Sequence, residues 1–159
     1  MRSIRSPAEA VRFIETFWAL RDPDPATPGN PYRETFMQRV EAADVLYPEG
    51  GLRGSLTARG RAYILLGAPS RLRVTSQEAL EWDPAAGSPD NVRVRYLPLE
   101  IWTYSLEDFP PALAQALMAK GDEKQFRVSF VKEIDRTSLE EGELLLDLAS
   151  RTAVALADS

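Results

Sequence analysis

Two residue types that serve much of enzyme chemistry are missing from this 159-residue chain, since it contains neither cysteine nor histidine. Thiolate nucleophiles, imidazole bases and the usual zinc ligands are therefore excluded, and so are disulfides. The remaining candidates for catalysis are carboxylates, hydroxyls, arginines and a few lysines. From these residues alone we predict no catalytic residue, no metal and no cofactor.

Long apolar runs are also missing. No stretch approaches the roughly 20 residues that a membrane-spanning helix needs, and the first residues, MRSIRSPAEAVRF, lack the apolar segment of a signal peptide. As written, the chain is expected to be soluble and cytoplasmic, with an exported location left open if Met1 is not the native start. Its length and its hydrophobic content of 44% predict one domain, residues 1–159.

Charge is distributed unevenly along the chain. Residues 1–75 hold 11 Arg against 8 acidic residues, a balance of +3, whereas residues 76–159 hold 8 basic against 16 acidic residues, a balance of −8. The stretch from Arg53 to Arg73 contains five arginines and no carboxylate. An acidic protein without basic, aromatic-rich repeats is a poor candidate for nucleic-acid binding, which we do not expect.

The first third of the chain predicts two helices joined by a rigid corner. Ser6 followed by Pro7 and Glu9 is typical of a helix start, and helical periodicity continues to about residue 20. Four prolines then restrict the backbone between residues 23 and 31. Asn30 is predicted to cap the second helix, which starts at Pro31.

The rest of the chain predicts a mixture of strands and helices. We expect a buried strand at 61–67, a long loop at 70–91, strands on either side of Pro98, a helix at 111–119, a strand at 125–134, and a capping box of Ser138 with Glu141 before a terminal helix. The terminal segment could also suit a strand. The predicted class is α+β, with the N-terminal helix pair packed on a small antiparallel sheet.

Several motifs, taken in order, resemble one known family. FWALRDPDPATPGNPYRETFMQRV, then GSLTARGRAYILLGAPSR and finally LEIWTY look like the GWxTD domain family. The similarity spans roughly residues 13–131. The matching positions are Phe17, Trp18, Arg21, Asp22, Asn30, Arg39, Gly54, Thr57, Gly60, Gly67 and Trp102.

The resemblance has informative departures. Ser55 and Ala58 stand where the family has the Trp and Asp of its name, and Pro31 replaces the usual Glu after Asn30. A binding or reactive feature built on that Trp and Asp would be missing here. The resemblance implies bacterial origin, frequent export among relatives and no established activity.

Most of the matching residues have a structural interpretation. Phe17, Trp18, Trp102 and Tyr104 are predicted to lie in the core. Asp22 precedes a proline and is predicted to accept backbone N–H groups, while Arg21 is predicted to donate to Glu34 or to loop carbonyls. A network that holds the corner would result.

For function, we expect a non-catalytic protein-interaction or assembly domain of a bacterial system, at the envelope if the chain is exported as its relatives are. Its partner is an unidentified protein. One alternative is a small anionic ligand held by Arg21, Arg39 and Arg59. Another is a histidine-independent hydrolase that uses two of Asp22, Glu34 and Glu100. The residues expected to contact the partner are Arg53, Arg59, Arg61, Arg71, Arg73 and Trp82.

Overall fold

A computed structural model describes residues 6–82 and 92–155 of the chain. Within these ranges the fold is α+β, as predicted, with helices at both ends of a four-stranded antiparallel sheet. The elements are α1 (Pro7–Ala19), α2 (Pro31–Leu46), a 3-10 turn (Gly54–Leu56), α3 (Ala58–Leu66), β1 (Arg71–Trp82), β2 (Val92–Ser105), a second 3-10 turn (Leu106–Asp108), α4 (Pro111–Met118), β3 (Gln125–Lys132), β4 (Thr137–Glu141) and α5 (Glu143–Ala155).

The predicted starts of the first two helices are confirmed. Ser6 accepts a hydrogen bond from the backbone N–H of Glu9 at 3.2 Å, and Asn30 accepts one from Arg33 at 2.9 Å. Each bond satisfies an N–H that has no partner within its own helix. Asn30 also donates its side-chain amide to the carbonyl of Trp18 at 2.7 Å, so that one side chain joins the end of α1 to the start of α2.

The aromatic residues of α1 pack on α2. Trp18 lies edge-on to Phe36, with the ring centres 5.3 Å apart, and also contacts Tyr32. Phe17 and Trp18 are half-buried, and none of the residues of α1 is fully buried. Their predicted place in the core is therefore wrong, because the apolar face of α1 contacts one neighbouring helix instead of lying between two layers.

The strand predicted at residues 61–67 is a helix, α3. The branched and aromatic side chains suggested a strand, but Thr57 caps a helix by accepting from the N–H of Gly60 at 3.1 Å. Ala62 and Leu66, four residues apart, then face the core together. Gly67 ends the helix with φ of +84°, a conformation that other residues rarely adopt.

The loop predicted at residues 70–91 is also wrong over the part that is described. Residues 71–82 form β1, which pairs with β2 from Arg71 opposite Thr103 to Trp82 opposite Val92. Residues 83–91 lie outside the described ranges. The polar content of β1 suggested a loop, yet its polar residues lie on an exposed strand at the edge of the sheet.

Pro98 was expected to separate two strands and instead lies inside β2. The pairing of β2 with β3 runs from Ser105 opposite Gln125 to Leu99 opposite Val131, and Pro98 is the next residue beyond it. A proline has no N–H to donate, so it is tolerated where one side of a strand has no partner. Pro98 thus marks the end of the three-stranded region.

The capping box predicted at Ser138 and Glu141 is wrong, because both residues belong to β4. The terminal helix is confirmed as α5. A register irregularity between Ser129 and Phe130 accompanies the pairing of β3 with β4. This outer strand of the sheet is short and irregular, whereas β1 at the opposite edge is long and regular.

The core lies between one face of the sheet and the helices α3, α4 and α5. Trp102 and Tyr104 of β2 are 0% exposed, which confirms the prediction for these two residues. The other members of the cluster are Ala62, Leu66, Phe109, Leu113, Leu117, Val128, Phe130, Leu145, Leu146 and Ala149. We call the face of the sheet that carries Trp102 the core face.

Two glycines permit an unusually close approach of backbones. A Cβ atom at Gly54 would lie 1.7 Å from the carbonyl oxygen of Ala43 in α2, and one at Gly60 would lie 1.8 Å from the carbonyl oxygen of Gly54. These carbonyl groups are backbone atoms of packed elements, so they cannot move aside as a flexible side chain can. Gly54 and Gly60 therefore set the spacing between α2, the first 3-10 turn and α3.

The first prediction concerns this contact. Gly60→Ala should lower the free energy of unfolding by about 3 kcal/mol or more, because the added methyl group overlaps a backbone carbonyl. Gly121→Ala is the matched control, since a Cβ at Gly121 has nothing within 4 Å. Urea denaturation measures both variants, and equal stability of the two would contradict the proposed role of Gly60.

Candidate interaction surface

Arg59 forms the most buried charged cluster among the described residues. Its side chain is 20% exposed and lies between two carboxylates, 3.4 Å from Glu100 and 3.9 Å from Glu49. Glu100 also accepts a hydrogen bond from the indole N–H of Trp102 at 2.6 Å, and Glu49 accepts one from Thr137. The cluster therefore joins the start of α3 to β2 and β4.

Tyr47 forms one side of the Arg59 cluster. The guanidinium carbon of Arg59 lies 5.5 Å from the centre of its ring, and the ring also contacts Trp102. Burial raises the pKa of Tyr47, and the nearby negative charge of Glu100 raises it further, against an opposing effect of Arg59. With two carboxylates around one cation, the cluster is suited to holding elements together and unsuited to receiving an anion.

Asp44 anchors the first 3-10 turn. It accepts the backbone N–H of Ser55 at 2.8 Å and an N–H of Arg53 at 3.1 Å. Hydrogen bonding from Ser55, assisted by Arg53, lowers the pKa of Asp44 to about 2. Ser55, which stands at the position of the family's Trp, thus takes part in a local structural contact.

Arg39 occupies the other end of α3. It donates to the carbonyl of Ile64 at 3.1 Å, and its guanidinium lies over Gly67. Tyr104 donates its hydroxyl to the carbonyl of Gly67 at 3.1 Å, and burial raises the pKa of this phenol well above its ordinary value. These donors satisfy the carbonyl groups that the end of a helix leaves without partners.

Of the contacts predicted in the corner, the one of Asp22 is confirmed, whereas Arg21 donates to a carbonyl within α1 and not to Glu34 or a loop carbonyl as predicted. Asp22 accepts the N–H of Asp24 at 3.1 Å. Arg21 donates to the carbonyl of Phe17 at 3.0 Å and lies over the ring of that residue, 3.6 Å from its centre. Arg21, Arg39 and Arg59 are therefore bound at three separate places and do not converge on one anion site.

The carboxylates considered for hydrolysis lie on different elements. Asp22 lies in the corner and Glu34 in the first turn of α2, whereas Glu100 is paired with Arg59. None of the three lines either of two concave regions in the described part of the chain. One, of about 730 Å³, lies between α4, β3, β4 and α5, and the other, of about 570 Å³, follows α2. The described residues also contain no group of three or more carboxylates that could hold a metal ion.

The arginines predicted to contact a partner are dispersed. Arg53 is 76% exposed but bound to Asp44, Arg59 is in its half-buried cluster, and Arg61 pairs with Glu143 at 3.0 Å. Arg71 and Arg73 are exposed on β1. The backbone of Trp82 ends β1, and its side chain lies outside the described part of the structure. Among the described side chains of the predicted set, only Arg71 and Arg73 lie on the same face of one strand, and this face is opposite to the core face.

Beyond the pairing with β3, the sheet continues as a two-stranded extension, which we call the ribbon: residues 76–82 of β1 and 92–98 of β2. Its pairing runs from Ser76 opposite Pro98 to Trp82 opposite Val92. No described strand pairs with the ribbon on either side, because β3 pairs with β2 only from Leu99 onward.

The two faces of the ribbon differ in character. Leu80, Val92, Val94 and Tyr96 lie on the core face beyond the helices and are exposed, with Leu80 at 76%. Glu78 lies on the same face and accepts a hydrogen bond from the Tyr96 hydroxyl at 3.3 Å. On the opposite face, Gln77 donates to Glu140 of β4 at 3.2 Å. This bond joins the two strands at opposite edges of the sheet, β1 and β4.

These apolar residues were missed by the sequence reasoning. The sequence predicted a strand before Pro98, but the expected partner contacts were assigned to arginines and Trp82, several of them in a predicted loop. Treating residues 71–82 as a strand would have placed Leu72, Val74 and Leu80 on the same face.

Comparison with protein-family models, curated proteins and solved structures gave no match to this chain. In the described ranges, no helix combines the length and the apolar character required to cross a membrane.

The second prediction tests the Arg59 cluster. Arg59→Met should lower the free energy of unfolding by about 3 kcal/mol, because two poorly exposed carboxylates lose their cation. Arg53→Met is the control and should change stability much less, since Arg53 is mostly solvated. Chemical denaturation compares the two, and a tolerated Arg59→Met substitution would refute a structural role of this cluster.

The third prediction concerns pH. Because the folded-state pKa of Asp44 is lowered to about 2, its ionised form stabilises the fold fully above the ordinary value near 4, and this contribution is lost as the pH falls through about 2. The difference in unfolding free energy between the parent and Asp44→Asn should therefore shrink between about pH 5 and pH 2. A difference that stays constant over this range would contradict the assignment.

Proposed function

We propose that this chain is a non-catalytic protein-interaction or assembly domain, of the GWxTD type that its motifs resemble, and that the ribbon is its binding surface. The observation that carries the proposal is the exposed apolar face of the ribbon, formed by Leu80, Val92, Val94 and Tyr96. Apolar residues in a contiguous exposed group are typical of surfaces that bind another protein.

The geometry of the ribbon supports this assignment. The helices α3, α4 and α5 cover the core face around Trp102, where three or four strands are present. The ribbon continues the same face beyond this cover. A two-stranded hairpin is at best marginally stable alone in water, so a partner that covers its apolar face would gain hydrophobic contact and would also stabilise the ribbon.

The charged residues support the same proposal by their arrangement. Arg59 and Arg39 are engaged in contacts within the chain, which argues against the anionic-ligand alternative. Asp22, Glu34 and Glu100 lie at different places, which argues against the hydrolase alternative.

The fourth prediction tests the apolar face. A variant with Leu80→Thr and Val94→Thr keeps residues that favour strands but replaces an exposed apolar cross-strand pair. We expect it to retain the fold and to lose affinity for the partner by about tenfold or more. Ile134→Thr is the control, since Ile134 is equally exposed but lies in the turn between β3 and β4.

The measurement has two stages. The parent and both variants are used to capture proteins from the source cells, and any protein captured by the parent and by Ile134→Thr, but not by the ribbon variant, is then purified. Its dissociation constant for each form is measured by calorimetry. Equal binding to all three forms would exclude the ribbon as the surface.

A further inference from the structure

The outer edge of β1 has the features of a strand that can pair with another strand. β1 runs from Arg71 to Trp82, well beyond the typical length of five or six residues. It contains no proline and its register with β2 has no irregularity. Natural edge strands are normally protected by shortness, bulges, proline or inward-facing charge, and β4 at the other edge is indeed short and irregular.

The charge pattern of β1 is complementary to itself. Arg73 stands near its start and Glu81 near its end, and both lie on the face of the sheet opposite to the core face. When two copies of such a strand run antiparallel, the basic start of each lies opposite the acidic end of the other. A strand whose charges are arranged in this way favours a second copy of itself over a uniformly charged partner.

One pairing register between two β1 strands gives favourable side-chain contacts on both faces of the strand. With Gln77 opposite Gln77, Arg73 lies opposite Glu81 on one face and Val74 lies opposite Leu80 on the other. Each of these contacts occurs twice, as two-fold symmetry requires. Val74 and Leu80 are 62% and 76% exposed in the single chain, so their pairing would remove apolar surface from water.

We propose that two copies of this chain associate through antiparallel pairing of their β1 strands, around a two-fold axis at Gln77. The proposal rests on the proposed function, because it names a second copy as the partner at the edge of the ribbon. The two four-stranded sheets become one continuous sheet. The core faces of both copies then lie on the same side, and the exposed apolar face of the ribbon is doubled.

The fifth prediction uses exchanged charges. R73E and E81R should each weaken the dimer about tenfold or more, because each places like charges opposite one another at two positions. An equal mixture of R73E and E81R should form a heterodimer, since both contacts are then between opposite charges. Sedimentation equilibrium measures all three samples, with Lys120→Glu as a control at a distant exposed site.

The absence of cysteine permits a test of the register. Q77C should form a disulfide-linked dimer under mild oxidation, because residues directly opposite in an antiparallel pair have Cβ atoms about 5 Å apart. S76C is the control and should crosslink poorly, since in this register Ser76 lies opposite Glu78. Preferential crosslinking of S76C would refute the register with Gln77 at its centre.

The outcomes separate this proposal from the proposed function. A parent chain that stays monomeric at all concentrations, or a mixture of R73E and E81R that does not associate, overturns the self-pairing. Neither result alters capture of a different protein by the apolar face, which the Leu80 and Val94 variant tests in the fourth prediction. Formation of the heterodimer, together with crosslinking of Q77C, supports self-pairing through the edge of β1.

Discussion

Close backbone packing at Gly54 and Gly60 determines where the helical layer can lie. At both positions a carbonyl group of a neighbouring element occupies the space that a side chain would need. The first 3-10 turn consequently lies against α2, and α3 lies against the turn. This arrangement directs Arg59 towards Glu49 and Glu100, and it places Ala62 and Leu66 on the sheet beside Trp102. The charged cluster and the apolar core are thus two results of the same steric constraint.

The helical layer that follows from this constraint covers only part of the sheet. β2 illustrates the division, because its final residues, with Trp102 and Tyr104, are buried beneath helices while its first residues, from Val92 to Tyr96, are exposed. Pro98 lies at the boundary, one residue beyond the pairing with β3. The fold therefore combines a well-packed body with a pair of strands that extends beyond the helical cover.

Local signals in the sequence predicted the helix starts at Ser6 and Asn30, the helix that follows Pro110, the terminal helix and the α+β class. They failed where tertiary context outweighs composition. α3 has the residues of a strand but is a capped helix packed on the core, and β1 has the polarity of a loop because it is an edge strand. The exposed apolar face of the ribbon was not predicted for the same reason. The assignment of Arg73 to one face and of Val74 and Leu80 to the other requires that residues 71–82 form a strand, which the sequence did not predict.

β2 is covered by helices only at the end that carries Trp102, and this affects the dynamics of the molecule. Opening of the ribbon requires the loss of contacts between two strands only, whereas exposure of Trp102 requires separation of the sheet from three helices. Backbone amides near Val92 should therefore exchange with solvent through local opening of the ribbon. Amides near Trp102, in the same strand, should exchange only through opening close to global unfolding. The hydrogen bond from Gln77 to Glu140 is a tether between these regions. Through it, a change in the order of the ribbon is coupled to β4 and so to the start of α5.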